Sequence, residues 1–128
     1  MTAAAKHYEC TVTVEAEFLP DQSDIENNRY AFAYHVKITN TGNVAAQLIS
    51  RHWIINDATG PQQEVKGLGV IGAQPFLNPN QFFEYTSGTV LNTPTGKMHG
   101  TYQMVADDGT QFEAIIPLFS LNMPRVLH

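Results

Sequence analysis

The chain has 128 residues and carries 12 acidic against 7 basic side chains, which gives a formal net charge of −5 at pH 7. This length suits one domain, and an apolar fraction of 43% can form a hydrophobic core without disulfides or metals. The negative charge, with its scattered lysines and arginines, argues against binding to nucleic acid or to an anionic membrane surface.

Alternation of apolar and polar residues predicts strands in the first part of the chain. In residues 10–18 every second side chain is apolar, as in a strand with one buried and one solvated face. Residues 29–39 alternate in the same way and end at residues 40–43, whose Asn and Gly favour a tight turn. The polar residues 20–28 between these strands predict a solvated connection.

A third strand is predicted over residues 44–56, with large apolar side chains in both registers. These are Leu48 and Ile54 in one register, and Ile49, Trp53 and Ile55 in the other. The pattern favours either a central strand covered on both faces or a bulge that switches the register. After a turn at residues 57–61, residues 62–66 predict a short polar strand at a sheet edge.

The second half of the chain is less regular. Residues 67–80 are rich in Gly and Pro, residues 82–86 predict a short aromatic strand, and residues 92–96 predict a turn. Residues 98–106 and 111–116 predict a hairpin, for which Asp108-Gly109 favours a type I′ turn. The apolar, proline-bounded residues 117–121 could cover the sheet or pair with another chain at an open edge.

About seven short strands predict an all-β protein, an antiparallel β-sandwich of the immunoglobulin or fibronectin III type. Tyr102 lies early in the penultimate strand, where such sandwiches often carry a corner tyrosine. We expect a single domain over residues 1–128. Because the chain has one cysteine, Cys10, and no apolar run near the ~18 residues of a membrane helix, we expect a cytoplasmic location and no membrane insertion.

Gly67, Gly69 and Gly72 match the G-x-G-x-x-G motif of dinucleotide-binding proteins. That motif binds pyrophosphate only when the loop opens a helix, and Pro75 and Pro79 exclude a helix of useful length here. We therefore expect no cofactor. A weaker possibility stays open, in which the loop's backbone amides form an anion site beside Lys66. The alternative is that the glycines serve a bulge or a loop across a sheet edge.

The residue types that carry catalysis or bind metals are scattered. His35, His52 and His99 lie on three predicted strands, and none has the spacing of a zinc motif. Cys10 has no histidine neighbour in its strand, and Ser87 lacks the G-x-S-x-G elbow. We predict no catalytic residues, no metal site and no enzymatic activity.

Aromatic residues are more numerous in the middle and the tail of the chain than its short strands require. They are Trp53, Phe76, Phe82, Phe83, Tyr85 and Phe119. Most are expected to pack in the core, and the others favour a patch on the surface that contacts a protein.

Taken in order, several segments resemble the ApaG family. They are Tyr30-Ala31-Phe32-Ala33-Tyr34, Arg51-His52-Trp53-Ile54-Ile55, Glu64-Val65-Lys66-Gly67-Leu68-Gly69-Val70-Ile71-Gly72, Phe83-Glu84-Tyr85-Thr86-Ser87-Gly88, Gly100-Thr101-Tyr102-Gln103-Met104-Val105 and Phe112-Glu113-Ala114-Ile115-Ile116-Pro117-Leu118-Phe119-Ser120-Leu121. The resemblance covers nearly the whole chain and implies a fibronectin III-like sandwich.

The resemblance also implies a role in interactions, since similar domains are joined to F-box and polymerase-associated proteins in eukaryotes. The bacterial family is associated with diadenosine tetraphosphate metabolism, with cobalt resistance and with magnesium efflux. It supplies no agreed catalytic residues, and its glycine motif falls on Gly67, Gly69 and Gly72 of this chain.

Three hypotheses on function follow. The leading one is a non-catalytic binding module that presents an edge strand or an aromatic patch to a protein partner, or to itself as a homodimer. The alternative is a sensor that binds pyrophosphate or diadenosine tetraphosphate on Gly67, Gly69 and Gly72, with Lys66 and Arg51 neutralising the phosphates. The third is direct binding of Co²⁺ or Mg²⁺.

Overall fold

The computed structural model describes residues 5–124, which form eight strands and two short 3₁₀ helices. The strands are β1 (Cys10–Phe18), β2 (Tyr30–Asn40), β3 (Ala46–Asp57), β4 (Gln63–Leu68), β5 (Phe76–Leu77), β6 (Phe82–Leu91), β7 (Thr95–Ala106) and β8 (Gln111–Asn122). The 3₁₀ helices, Pro20–Gln22 and Ile25–Asn27, lie in the connection between β1 and β2. Within residues 5–124, no helix is long and apolar enough to cross a bilayer.

The strands form two antiparallel sheets. One sheet has the order β1-β2-β6, and the other has the order β4-β3-β7-β8, with β5 also paired to β3. Side chains from both sheets meet in one hydrophobic core, which includes Val36, Ile38, Leu48, Trp53, Met104 and Ile116. The predicted all-β sandwich is confirmed.

The alternation of β2 explains how one strand serves the core and the solvent. Val36 and Ile38 are fully buried, whereas His35 and Lys37 point to the other face and are half-buried. The strand ends at Asn40, whose side-chain amide donates to the carbonyl oxygens of Val44 (2.9 Å) and Leu77 (3.0 Å). These bonds satisfy a buried polar group and fix the turn that leads into the second sheet.

A bulge in β3 accounts for its apolar residues in both registers. Leu48 pairs with Met104 of β7 but Ser50 pairs with Gln103, so Ile49 is the extra residue. The bulge reverses the faces of the strand. Leu48 before it and Trp53 after it therefore both reach the core. Of the two alternatives that the sequence left open, the register switch is the one observed.

Three predicted strands extend by three residues or more beyond the bounds that the sequence indicated. β6 continues beyond residue 86 to Leu91, because it pairs with β2 over its full length. β7 begins at Thr95, inside the predicted turn. β8 continues beyond residue 116 to Asn122, so the proline-bounded tail is the second half of this strand, and its register with β7 shifts near Pro117.

The turn predicted between β7 and β8 was wrong in type. A type I′ turn needs positive φ at both central residues, but only Gly109 has one, at 89°. The Gly109 N–H donates to the carbonyl oxygen of Ala106 (2.8 Å), and Ala106 N–H donates to Thr110 (2.7 Å). This is the three-residue loop in which a glycine in the left-handed region follows a type I turn.

Candidate functional site

A surface groove of about 490 Å³ runs along β3 and β4 and contains three of the five site residues proposed from the sequence. Its lining consists of Ser50, Arg51, His52, Lys66, Gly67, Leu68 and Gln103. We call it the β3–β4 groove. Arg51, Lys66 and Gly67 belong to the predicted anion site, whereas Gly69 and Gly72 lie in the loop that follows β4.

The pairing of β3 with β4 separates the two predicted cationic residues. Arg51 pairs with Gly67, and His52 pairs with Lys66. Because consecutive residues of a strand point to opposite faces of a sheet, Arg51 and Lys66 start from opposite faces of this one. The structure therefore brings Arg51 to Gly67 and Gly69, and brings Lys66 to His52.

The Arg51 guanidinium is held by the backbone of the glycine segment. Its Nη1 atom donates to the carbonyl oxygens of Leu68 (2.9 Å) and Gly69 (2.8 Å). It also lies against Gly67, where an added Cβ would sit 2.9 Å from Nη2. Gly67 therefore lets Arg51 cross the strand, and two of the guanidinium's hydrogen bonds are made within the protein.

The glycine loop is a compact turn. Gly69 has a φ of 62°, and Ile71 and Gly72 have φ values of 43° and 79°, the signature of a type I′ turn. Val70 and Ala73 exchange backbone hydrogen bonds of 2.8 Å across this turn, and Gly69 N–H donates to Ile49 (2.8 Å). Three amides near the loop are thus used internally. The chain then continues into β5.

The other groove residues bond to one another on the solvent-facing side of the sheet. Ser50 Oγ donates to Gln103 Oε1 (2.8 Å), and the Gln103 amide donates to Thr101 (2.8 Å). His52 Nε2 lies 3.6 Å from Glu64 Oε1 and is enclosed without a hydrogen-bond partner among the described residues. The Ser50 hydroxyl is therefore bonded to an amide and not to an imidazole, which is the base that would activate it as a nucleophile.

One of the three strand histidines considered as metal ligands lies in a different sheet from the other two. His35 is on β2, in the other sheet, and its Nδ1 bonds to Thr86 (2.8 Å). His52 and His99 lie on neighbouring strands, β3 and β7. Within residues 5–124, no group of three or more His, Cys, Asp or Glu side chains is placed to hold a metal ion.

Burial raises the pKa of the Cys10 thiol to about 11. A raised pKa favours the thiol over the nucleophilic thiolate, so this side chain is an apolar core residue at neutral pH.

Sequence reasoning did not single out Ser50, Leu68 or Gln103. Alternation along β4 places Leu68 on the same face as Lys66, so the sequence could have indicated that Leu68 lies beside this predicted site residue. The position of the bulge in β3 and the pairing of Ser50 with Gln103 depend on contacts 53 residues apart in the chain, and no local pattern reports them.

The chain resembles known proteins over nearly all of its length. A family model described as the ApaG domain matches residues 20–106. A relative from Methylobacillus flagellatus, named Protein ApaG, is 67% identical over 123 residues, which are 96% of this chain and 97% of that protein. Protein ApaG from Aromatoleum aromaticum is 60% identical, with 97% and 98% covered.

A solved structure has the same fold. The crystal structure of a protein from Bordetella pertussis, titled putative ApaA protein, superposes with a TM-score of 0.90. Its sequence is 53% identical, and the alignment covers 96% of this chain and all of that one.

Proposed function

The chain belongs to the ApaG family, and on that premise we propose that it is a non-catalytic binding module that takes a protein partner on the β3–β4 groove. The observation that carries the proposal is Leu68, whose side chain is 75% exposed beside polar groups that already bond to one another. Protein–protein contacts have an apolar centre and a polar rim, and Leu68 with the polar residues around it would supply both. We propose that this binding takes place in the cytoplasm.

The hydrogen bonds of the groove support binding over catalysis. Ser50 donates its hydroxyl proton to Gln103, so no base activates this hydroxyl as a nucleophile, and Arg51 uses two of its five N–H donors on backbone carbonyls. These bonds make the surface rigid, which lowers the entropic cost of ordering it when a partner binds.

The test is affinity capture from native lysate with the wild-type chain and a Leu68→Asp variant. Ile115→Asp is the matched control, because Ile115 is also an exposed strand residue (71%) of the same sheet but lies on β8. We expect proteins that the wild type and Ile115→Asp both retain and that Leu68→Asp loses. Identical recovery by all three forms would place the contact elsewhere.

The phosphate-sensor hypothesis, in which the glycine loop binds pyrophosphate, needs an experiment of its own. Gly69 N–H and Val70 N–H donate within the protein, and an anion site built on them would have to break those bonds. We therefore expect titration with inorganic pyrophosphate to leave the amide resonances of residues 66–72 unshifted. Saturable shifts there that Lys66→Ala abolishes would instead favour the sensor.

A further inference from the structure

The sheet edge formed by β6 is the least protected of the four edges in the described sandwich. The edge strands are β1 and β6 in one sheet, and β4 and β8 in the other. β1 and β8 contact each other, and β4 has only six residues, of which Glu64 and Lys66 are charged. β6 has ten residues with no proline and one charge, Glu84. Edges of this kind favour pairing with another strand.

The hydrogen bonds of this sheet determine which residues of β6 face the open edge. Leu19 N–H donates to Ala31 (2.8 Å), so odd-numbered residues of β2 bond to β1 and even-numbered ones bond to β6. In the β2–β6 register, even residues of β2 pair with odd residues of β6. The backbone N–H and C=O groups of Phe82, Glu84, Thr86, Gly88 and Val90 therefore point away from the sheet.

The side chains of these same residues are arranged symmetrically along β6. Phe82 and Val90 are exposed by 53% and 46%, and each lies four residues from Thr86. Lys37 Nζ lies 4.4 Å from the centre of the Phe82 ring, on the neighbouring strand. Glu84 and Gly88 are each two residues from Thr86, on the same face.

We propose that two copies of this chain associate through β6, antiparallel about a twofold axis at Thr86. Phe82 of each copy then faces Val90 of the other. The twofold axis creates two such pairs, so the exposed apolar side chains of both copies are covered. Glu84 faces Gly88, which places no like charges opposite each other and leaves room for the carboxylate. The residues with free backbone groups are the ones that face each other, so the pairing satisfies them.

This inference deepens the proposed function, because it rests on the chain being an interaction module and names a second copy as one partner. The surface differs from the β3–β4 groove, which lies on the other sheet. The two proposals can therefore fail separately.

The test is sedimentation equilibrium of the full chain across micromolar to millimolar concentrations. We expect a monomer of 14.2 kDa in exchange with a species of twice that mass. Thr86→Glu brings two like charges together at the axis, and Thr86→Lys does the same with the opposite sign. Each is expected to weaken association at least about tenfold, and an equimolar mixture of the two is expected to restore it.

Thr13→Glu is the matched control, because Thr13 is an exposed threonine on the same face of the far edge strand, β1. It is expected to leave association unchanged. If either Thr86 variant fails to fold, Val90→Lys tests the same contact by removing the Phe82–Val90 pairs. A wild-type monomer at every concentration, or equal dissociation constants for wild type and the β6 variants, overturns the inference. Such a result alongside Leu68-dependent capture would leave the proposed function standing.

Discussion

The hydroxyl oxygens of Tyr85 and Tyr102 lie 2.5 Å apart and form a hydrogen bond between the two sheets. Tyr85 is on β6 and Tyr102 is on β7, and both side chains are buried in the core. A corner tyrosine was expected at Tyr102, early in the penultimate strand, but β7 begins at Thr95, so Tyr102 lies past the middle of the strand and its hydroxyl bonds to a side chain of the opposite sheet. Each hydroxyl thereby satisfies the other in an apolar surround.

Removing both hydroxyls of this pair is expected to cost less than the sum of the two single removals. Tyr85→Phe and Tyr102→Phe each leave a buried hydroxyl without its partner, at a cost of about 1–3 kcal/mol. The double variant leaves no unpaired hydroxyl, so its free energy of unfolding should fall by less than the sum of the single losses. Urea unfolding of the four forms measures this double-mutant cycle, and strictly additive losses would contradict it.

The same pair predicts loss of stability at alkaline pH. Burial raises the pKa of Tyr85 to about 12 and raises that of Tyr102 further, whereas an unfolded tyrosine ionises near its usual 10.0. Above about pH 10 the unfolded state ionises and the folded state does not, so stability that is complete below that pH is lost as pH rises toward 12. Urea midpoints measured across this interval should decrease, and less steeply for the double Phe variant. Parallel curves for the two proteins would refute the assignment.

Gly69 and Gly72 should respond differently to alanine, although both have positive φ. An added Cβ at Gly72 meets open space, so Gly72→Ala costs only the strain of the left-handed region, about 1 kcal/mol. At Gly69 the Cβ would collide with the carbonyl oxygen of Ala73, which also accepts the Val70 hydrogen bond. We expect Gly69→Ala to lose at least about twice as much stability in urea unfolding. Equal losses would mean that the turn moves aside without cost.

At low pH, the residues that precede β1 should lose their hydrogen bonds to Asp108. The Asp108 carboxylate accepts hydrogen bonds from Tyr8 (2.5 Å), Lys6 (2.9 Å) and Thr110 N–H (3.0 Å), and these bonds lower its pKa well below the usual 3.8. The contribution is present above about pH 4 and is lost as pH falls toward the lowered value. The protection of the amides of residues 5–9, measured at each pH as the exchange rate relative to the intrinsic rate, should fall as this carboxylate protonates below pH 5.

Asp108→Asn tests the same contact at constant pH. It should speed amide exchange of residues 5–9 already at pH 6. Asp107→Asn, one residue earlier in the same exposed turn, is the control and should leave that exchange unchanged.

Local patterns predicted the bounds of β1 and β2 closely. Each strand has one face toward the core and one toward solvent, so the alternation of apolar and polar residues indicates which way each side chain points. They failed at β6, whose length is set by its distant partner β2, and at β8, whose second half pairs with the start of β7 beyond a register shift. Pro117 lies in an edge strand at a register shift, where its missing N–H removes no necessary ladder bond, so β8 passes through it.

The candidate site could be predicted only in part, because strand pairing determines which of its residues meet. Its glycines are visible in the sequence, but the hydrogen bonds from Arg51 to Leu68 and Gly69 arise from the register of β3 with β4. That register also sends Lys66 to the opposite face. The presence of cationic residues near a glycine motif indicates neither the hydrogen bonds of Arg51 nor the face on which Lys66 lies.

The Arg51 guanidinium occupies the carbonyl oxygens of Leu68, the last residue of β4, and of Gly69, so the end of this strand has no free acceptor there for a neighbouring molecule. A protein whose sheets each end in an equally open edge would join head to tail and grow into an unbounded filament. Because Arg51 caps one acceptor at the β4 edge, the β4 and β6 edges are unequal, which disfavours growth that alternates between them. The residue that holds the glycine turn thus also takes one acceptor out of this edge.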